Sequence, residues 1–173
     1  VLLLDIVPKE LTEQEQAKGL TLESPQVRNR ISQAGRDGLI KMKPAPFYLK
    51  NYVSQVEVGN LEDDLDKLKT CDWICEVVVE YMPIKLDLLK KLVPHLAPGA
   101  ILSTNTSGLS VNAMAEVLPA EVRKNFLVTH FFILPRYMRF FELVASKGTD
   151  PEVMTGMADF IATRLGKGIV YAK

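Results

Sequence analysis

The sequence predicts an α/β protein in which helices cover both faces of a mostly parallel β-sheet. Short apolar runs recur along the chain, and segments with helical periodicity separate them. Several of these runs are apolar at consecutive positions, which is typical of strands buried on both faces of a sheet. The chain has 173 residues, of which 47% are hydrophobic, enough for one domain with a complete core.

The N-terminal part of the chain is predicted to hold two strands and one helix. Residues 1–6 are apolar on both faces of a strand, and residues 53–58 alternate as a half-buried strand does. Ser24 followed by Pro25 predicts a helix start, because a capping hydroxyl precedes a proline at the first helical position. The inward face of that helix is predicted to carry Val27, Ile31, Ala34 and Leu39. Prolines at positions 44 and 46 exclude helix there.

From residue 73 onward, strands and helices alternate regularly. The predicted strands are residues 73–79, 100–103, 126–129, 140–144 and 169–171. The predicted helices begin at Pro83, at Val111 after the capping residue Ser110, and at Pro151 after Asp150. The inward face of the first of these helices is predicted to be Ile84, Leu88, Leu92 and Leu96. This alternation is the pattern of βαβ units, whose strands run parallel.

Composition and charge exclude several classes of function. Lysine and arginine total 21 and aspartate and glutamate total 21, so the net charge of +0 leaves no electrostatic surface for nucleic acid or an anionic membrane. The apolar runs are far shorter than a membrane span. Cys71 and Cys75 have no nearby cysteine or histidine partners, which suits neither a metal site nor a disulfide framework. Two reduced thiols indicate a cytoplasmic location.

His130 and Glu142 bracket an apolar, aromatic segment and are the leading candidates for catalysis. A glutamate flanked by Phe140, Phe141 and Leu143 is costly to bury without a partner. His130 is the nearest group of suitable chemistry, and a histidine held by a carboxylate can transfer protons at neutral pH. We therefore predict that the two side chains meet and move a proton to or from a hydroxyl. The alternative is a structural histidine beside an apolar strand.

Asp5 ends the first predicted strand. In a dinucleotide-binding fold, an acidic residue at this position accepts hydrogen bonds from the adenosine ribose and repels a 2′-phosphate, which favours NAD over NADP. The alternative is that Asp5 merely caps a turn. The glycine-rich turn that binds the pyrophosphate would lie about 20 residues earlier, before Val1. We therefore interpret the chain as a piece of a longer polypeptide.

Polar residues also follow two later strands. Glu80 leaves the strand that carries Glu76 and Val79, and Lys85 follows in the next helix. Open α/β folds bind ligands at the carboxyl edge of the sheet, so Glu80 and Lys85 could reach ribose hydroxyls; the alternative is a surface ion pair. Residues 103–108, with the sequence Ser-Thr-Asn-Thr-Ser-Gly, follow another strand and could line a polar pocket. The alternative is a loop of ordinary turn formers.

These segments together resemble the NAD-binding domain of the L-3-hydroxyacyl-CoA dehydrogenase family. The motifs that carry the resemblance, at family spacing over almost the whole chain, are Leu2-Leu3-Leu4-Asp5, Glu76-Val77-Val78-Val79-Glu80 with Lys85, Ser103-Thr104-Asn105-Thr106-Ser107, His130-Phe131-Phe132, Pro135-Arg136-Tyr137-Met138 and Glu142-Leu143-Val144. It implies a partial Rossmann-like domain over residues 1–173, which lacks its first strand, its glycine-rich turn and the family's helical C-terminal domain. Residues 9–46 resemble a segment of bacterial and archaeal members fused to enoyl-CoA hydratase, which implies a helical insertion at about residues 9–50.

The resemblance implies a chemistry and a role for each site residue. The implied cofactor-binding residues are Asp5, Val79, Glu80, Lys85, Asn105 and Ser107. The implied catalytic residues are His130, Glu142 and Ser107. His130, oriented by Glu142, would take the 3-hydroxyl proton as L-3-hydroxyacyl-CoA is oxidised by NAD in fatty-acid β-oxidation. The implied partners are this substrate and either a second copy of the longer protein or a fused enoyl-CoA hydratase; the piece alone would turn over little substrate.

Two positions depart from the family pattern. Ile133 stands where the family usually has an asparagine after His-Phe-Phe, and Tyr81 stands where an asparagine follows the Glu80 position. Ile133 removes an amide expected near the substrate, which leads to a second hypothesis: a non-catalytic scaffold or acyl-CoA-binding domain of a larger protein. A third hypothesis is a dehydrogenase of free hydroxy acids on the same fold. The segment from His130 to Glu142 disfavours it.

Overall fold

The computed structural model describes residues 1–172, and these residues form two compact units, one up to Asp66 and one from Lys67 onward. Each unit, as far as the chain is described, contains one β-sheet. The sequence predicts one sheet. The described residues form two sheets instead. The single partial domain expected for residues 1–173 stays a prediction.

The first unit pairs two parallel strands, β1 (Leu2–Asp5) and β2 (Glu57–Asn60). Its helices are α1 (Glu13–Ala17), α2 (Pro25–Arg28) and α3 (Arg30–Lys41). The helix predicted from Ser24 and Pro25 breaks at Asn29, whose side-chain oxygen accepts a hydrogen bond of 2.8 Å from Asn60 Nδ2. The second strand starts later than predicted, because Lys50–Gln55 form a 3-10 turn in which Val56 N donates to Val53 O.

The second unit contains a sheet with the strand order β3-β4-β5-β6-β7 in the described residues. These strands are β3 (Trp73–Glu76), β4 (Ile101–Thr104), β5 (Phe126–Phe131), β6 (Phe140–Ala145) and β7 (Gly168–Ala172). Neighbouring strands run parallel except for the antiparallel pair β5 and β6. The helices between them are α4 (Met82–Leu92), α5 (Val111–Glu116), α6 (Ala120–Arg123) and α7 (Pro151–Arg164). The prediction of a mostly parallel α/β sheet is confirmed.

Helix α7 covers one face of this sheet. Its buried residues Met157 and Ile161 join a core cluster with Leu127 of β5 and with Phe141 and Leu143 of β6. Asp150 caps the helix as predicted, because its side chain accepts a hydrogen bond of 2.8 Å from Glu152 N. Burial of the apolar stripe of α7 therefore fixes which side chains of β5 and β6 lie on the α7 face.

The opposite face of the sheet carries the polar candidates. Glu76 pairs with Thr104 across β3 and β4, and Thr104 pairs with Val128 of β5. His130 lies two residues beyond Val128 and pairs with Glu142 of β6. Partners across strands share a face and side chains alternate with a period of two, so these residues lie together on the face away from α7. Polar residues of four neighbouring strands therefore share one face of this sheet.

Two predictions around β3 and α4 were wrong. The strand ends at Glu76 and does not extend to residue 79, and Val79 is 62% exposed. The inward face of α4 is Lys85, Leu89 and Leu92, whereas Ile84 is exposed. Glu76 is buried and takes Lys85 as its partner, which accounts for a lysine on the inward face of α4, whereas Leu92 faces inward as predicted. Within the described residues, no helix is long and apolar enough to cross a membrane.

Candidate active site

His130 and Glu142 meet across the antiparallel pair β5 and β6. The two residues are direct cross-strand partners, and His130 Nδ1 lies 3.0 Å from Glu142 Oε2. Their side chains are 18% and 28% exposed, so the pair is partly shielded and still reachable. The Phe132 ring packs beside the imidazole with ring centroids 5.0 Å apart. The contact that the sequence predicts between the two side chains is present.

The orientation of the imidazole decides which nitrogen is basic. An ionised carboxylate only accepts hydrogen bonds, so Nδ1 carries the proton when it donates to Glu142. In the neutral ring, the lone pair then belongs to Nε2. A histidine fixed in this way can take a proton at Nε2 while the neighbouring carboxylate stabilises the resulting imidazolium.

A second carboxylate, Glu76, forms a buried ion pair with Lys85. Lys85 Nζ lies 2.9 Å from Glu76 Oε1 and 3.1 Å from Oε2, and it also donates to Val78 O at 3.1 Å. Val78 N and Thr104 Oγ1 donate to the same carboxylate, each at 2.6 Å. The Lys85 and Glu76 side chains are 1% and 0% exposed. The pair of Glu76 and Lys85 is therefore internal. The ion pair considered between Glu80 and Lys85 is present as well, with a partly exposed glutamate and a buried lysine.

Glu80 is held by the loop that follows β4. Its Oε1 accepts hydrogen bonds from Thr106 Oγ1, from Ser107 N at 3.2 Å and from Gly108 N at 3.3 Å, and its Oε2 lies 3.4 Å from Lys85 Nζ. Burial would raise the pKa of Glu80, but these hydrogen bonds and the Lys85 charge together hold it below its ordinary value. Glu80 is thus an anion at neutral pH with a partly exposed carboxylate.

Asn105 and Ser107 lie in the same loop and make different contacts. Asn105 Oδ1 accepts a hydrogen bond of 2.8 Å from Phe131 N, the residue directly after His130. Asn105 N donates to Glu76 O at 2.8 Å. Asn105 therefore links the end of β3 to the end of β5. Ser107 is exposed, and within residues 1–172 no hydrogen bond joins it to His130.

Asp5 belongs to the first unit, where it is the last residue of β1. Its Oδ1 accepts a hydrogen bond of 2.7 Å from Ile6 N, and its carbonyl oxygen accepts one of 2.9 Å from Leu61 N. The Asp5 carboxylate thus lies at the carboxyl end of a parallel strand, the edge at which open α/β folds bind ligands. Its side-chain hydrogen bond is with the next residue only, so the choice between ribose binding and a capping role for Asp5 stays a prediction.

The segment between His130 and Glu142 contains an exposed turn. Ile133, the departure from the family pattern, is 88% exposed, and Leu134 has a φ of 61°. A positive φ is uncommon for a leucine and marks a turn held by its surroundings. Tyr81, the second departure, is also exposed.

The α7 face of the sheet holds a separate polar network. Trp73 Nε1 donates to Ser103 Oγ at 2.8 Å, and the Ser103 and Thr129 hydroxyls are 2.6 Å apart. Cys75 Sγ lies 3.6 Å from Thr129 Oγ1, and burial raises the pKa of its thiol. Cys75 is therefore a protonated thiol at neutral pH, and this network joins three strands without reaching His130 through any hydrogen bond in the described residues.

Sequence reasoning missed three contributors to the site. Glu76 was treated only as part of a strand, and Thr104 and Thr106 only as members of a polar loop. A signal for Glu76 was present: a carboxylate at the end of an apolar run needs a partner, and Lys85 follows nine residues later. No comparable signal marks Thr106, because its contact with Glu80 depends on the placement of two loops.

Comparison with known proteins identifies the family. The family model for the 3-hydroxyacyl-CoA dehydrogenase, NAD binding domain, matches residues 1–173. A probable 3-hydroxyacyl-CoA dehydrogenase of Bacillus subtilis is 46% identical over 173 residues, which are 100% of this chain and 22% of that protein. A putative fatty acid oxidation complex trifunctional enzyme of Rickettsia felis is 38% identical over 142 residues, 82% of this chain and 20% of that protein. The chain thus spans about a fifth of the length of these two relatives.

Solved structures support the same assignment. The crystal structure of a 3-hydroxyacyl-CoA dehydrogenase of Archaeoglobus fulgidus matches with a TM-score of 0.62 and 29% identity, over 72% of this chain and 42% of that one. Other relatives have names that place them in the peroxisome or the mitochondrion, so the cytoplasmic location stays a prediction. With its motifs in family order, its mostly parallel sheet and a family model that matches throughout, this chain belongs to the 3-hydroxyacyl-CoA dehydrogenase NAD-binding domain family.

Proposed function

We propose that the protein carrying this domain oxidises the hydroxyl at carbon 3 of L-3-hydroxyacyl-CoA to a ketone in fatty-acid β-oxidation. The observation that carries the proposal is the contact of 3.0 Å between His130 Nδ1 and Glu142 Oε2 on paired strands. His130 Nε2 removes the hydroxyl proton, and Glu142 orients the ring and stabilises the imidazolium. NAD, when bound, supplies the acceptor for the hydride that leaves carbon 3.

The chemistry of the donor set fits NAD. Asp5, at the end of β1, offers a carboxylate to the adenosine ribose hydroxyls. Glu80 is an anion with a partly exposed carboxylate, which suits the hydroxyls of the nicotinamide ribose. Val79 is exposed beside Glu80 and offers an apolar surface to the cofactor. These assignments support binding of NAD in preference to NADP, because Asp5 would repel a 2′-phosphate.

The remaining site residues have supporting roles in the proposal. Lys85 is buried, so it acts on the cofactor site through Glu76 and Glu80 and makes no direct contact with the ribose. Asn105 fixes the main chain beside His130 through Phe131 N. The exposed Ser107 hydroxyl is the proposed contact with the substrate hydroxyl.

The proposed partners are the acyl-CoA substrate, an enoyl-CoA hydratase domain of the same protein and a second copy of the chain. A relative described as a trifunctional fatty acid oxidation enzyme supports the multidomain arrangement. Residues 1–173 alone are expected to turn over little substrate, since the curated relatives are several times longer. The proposal is therefore tested on the full-length protein.

A second candidate is a non-catalytic scaffold or acyl-CoA-binding domain. The observation that favours it is Ile133, an 88% exposed apolar side chain where the family usually has an amide. An exposed isoleucine cannot hydrogen-bond the substrate or the nicotinamide. Ile133 leaves the contact between His130 and Glu142 intact, so we prefer the proposal of a catalytic domain.

Replacement of His130 by alanine tests the catalytic proposal. We expect His130→Ala to lower kcat for NAD-dependent oxidation of L-3-hydroxyacyl-CoA by about 100- to 10,000-fold, the range that a positioned general base contributes. His95→Ala is the matched control, because His95 ends a 3-10 turn after α4 and has no proposed role. Equal turnover by wild type and His130→Ala would remove the role of His130.

Replacement of Ile133 by asparagine separates the two candidates. The catalytic proposal expects turnover from the wild type and at most a modest gain from Ile133→Asn. If only the asparagine variant turns over while the wild type binds acyl-CoA, the domain is a scaffold or acyl-CoA-binding module. Circular dichroism on both proteins checks that the fold is unchanged.

A further inference from the structure

Lys167 holds the turn that joins the His130 strand to the Glu142 strand. Its ammonium donates hydrogen bonds to Pro135 O and, at 2.7 Å, to Met138 O. A charged donor makes stronger hydrogen bonds to carbonyl oxygens than a neutral one does. Neither the proposed chemistry nor the family motifs described above use this lysine.

The turn itself is strained and needs such support. Leu134 has a φ of 61°, in the left-handed region that disfavours a side chain with a Cβ atom. Its carbonyl accepts two hydrogen bonds, from Tyr137 N at 2.8 Å and from Met138 N at 3.0 Å. A residue in this conformation persists only where surrounding contacts determine it, and such residues concentrate at functional sites.

Apolar packing does not supply that support. Ile133, Leu134, Tyr137 and Met138 all expose a large part of their side chains. The conformation of the turn therefore depends on polar contacts with its backbone, and Lys167 provides two of them.

The pair of His130 and Glu142 is fixed by other means. The ladder between β5 and β6 sets their register, and Gly168 N donates to Arg139 O at 2.8 Å where β7 begins beside β6. Loss of the Lys167 ammonium would thus loosen the turn beyond the pair and leave the proton-transfer contact in place.

We propose that Lys167 is a positioning residue that holds the turn Leu134–Met138 in its strained conformation and thereby sets the surface that Ile133 and its neighbours present to the acyl-CoA substrate. The expected change in KM rests on the proposed function. The support that Lys167 gives to the turn rests on the contacts alone. The expected signature is a change in substrate KM with little change in kcat, because binding depends on the turn and proton transfer depends on His130.

The test compares Lys167→Met and Lys167→Arg with wild type in the full-length protein. Lys167→Met keeps the length of the side chain and removes the charge, and Lys167→Arg keeps a cation. Lys147→Met is the matched control, because Lys147 is exposed just after the other end of β6. Amide hydrogen exchange at Tyr137 and Met138 reports the turn, and steady-state kinetics with an L-3-hydroxyacyl-CoA and NAD report function.

For Lys167→Met we expect exchange at Tyr137 and Met138 to rise by about tenfold, consistent with loss of hydrogen bonds to a charged group. KM for the acyl-CoA should rise several-fold, with kcat and its pH profile retained, and Lys167→Arg should restore both readouts. Unchanged exchange in Lys167→Met would overturn the claim that Lys167 holds the turn. Faster exchange with unchanged KM would overturn the positioning role. A wild type without turnover would count against the proposed function, and the exchange result would still decide whether Lys167 holds the turn.

Discussion

Two pairs in the second unit, Glu76 with Lys85 and Glu142 with His130, differ in almost every physical respect. Glu76 and Lys85 are fully buried, and four hydrogen bonds from three donor groups saturate both oxygens of the glutamate. Glu142 and His130 are partly exposed, and the contact between them is a single one. Both pairs lie on the same face of the sheet.

The difference separates a structural pair from a reactive one. A buried carboxylate with every lone pair engaged has no capacity left for a substrate, and its charge is stabilised only while each partner stays in place. A partly exposed histidine with one nitrogen held by a carboxylate keeps its other nitrogen for proton transfer. Burial and saturation therefore distinguish the two roles better than residue type does.

The largest expected effect comes from breaking the buried pair. Lys85→Met leaves the Glu76 charge without its partner, and removal of one member of a buried ion pair costs about 3–5 kcal/mol of the free energy of unfolding. The double variant Glu76→Gln/Lys85→Met removes both charges and should recover much of that loss. Chemical denaturation measures both, with Lys90→Met, an exposed lysine on the same helix, as control. A double variant no more stable than Lys85→Met would contradict the pairing.

The next effect concerns the partly exposed pair. Glu142→Gln keeps an acceptor for His130 Nδ1 and removes the charge that stabilises the imidazolium. We expect kcat to fall by about 10- to 100-fold, as when the carboxylate that orients a metal-ligating histidine is changed. The free energy of unfolding should change little, since Glu142 is partly exposed. Glu121→Gln on α6 is the control, and a large loss of stability in Glu142→Gln without loss of kcat would make this pair structural as well.

The smallest expected effect concerns Glu80, whose carboxylate has more hydrogen bonds than Glu142 and is less buried than Glu76. The pKa of Glu80 is lower in the folded protein than in the unfolded chain, so its contribution to stability is present at neutral pH and is lost as the pH falls through the folded pKa. Thr106→Val removes one of the hydrogen bonds that lower this pKa and also the acceptor of the 3.1 Å hydrogen bond from Leu109 N, each at a cost of about 1 kcal/mol at pH 7.

The pH dependence identifies the cause of that loss. As the pH falls through the folded pKa of Glu80, the difference in unfolding free energy between wild type and Thr106→Val should shrink to the part that belongs to the Leu109 N hydrogen bond. Thr155→Val, which loses a hydroxyl bonded to a helix carbonyl, should show no such decrease. Parallel curves for Thr106→Val at all pH values would mean that the hydroxyl acts without Glu80.

The two pairs also show which contacts of the site could be predicted from the sequence. The meeting of His130 and Glu142 was predictable, because both lie in apolar strands and a carboxylate there needs a partner close in sequence. The same argument applied to Glu76 would have found Lys85. The helix was instead oriented by its leucines, which placed Ile84 inward, whereas the buried positions are Lys85, Leu89 and Leu92.

What the sequence could not provide depends on contacts between loops. The extent of β3 was overestimated because Val77 and Val79 continue an apolar run, although the chain turns at Glu76 to bring Val78 N to its carboxylate. The contact between Lys167 Nζ and Met138 O, for example, joins residues 29 positions apart. Such contacts have no periodicity that a single sequence displays.

The antiparallel pair of β5 and β6 has a consequence for how this domain can change. His130 and Glu142 face each other only because the two strands pair in one register, from Leu127 with Ala145 to Phe131 with Phe141. Deletion of one residue inside β6 would shift the register by one and move the Glu142 carboxylate to the α7 side of the sheet. Extra residues in the exposed turn would leave the register unaltered. Insertions between positions 133 and 139 should therefore keep the His130–Glu142 pair but disturb the contacts of Lys167 with the turn, whereas insertions in the strands on either side should separate the pair.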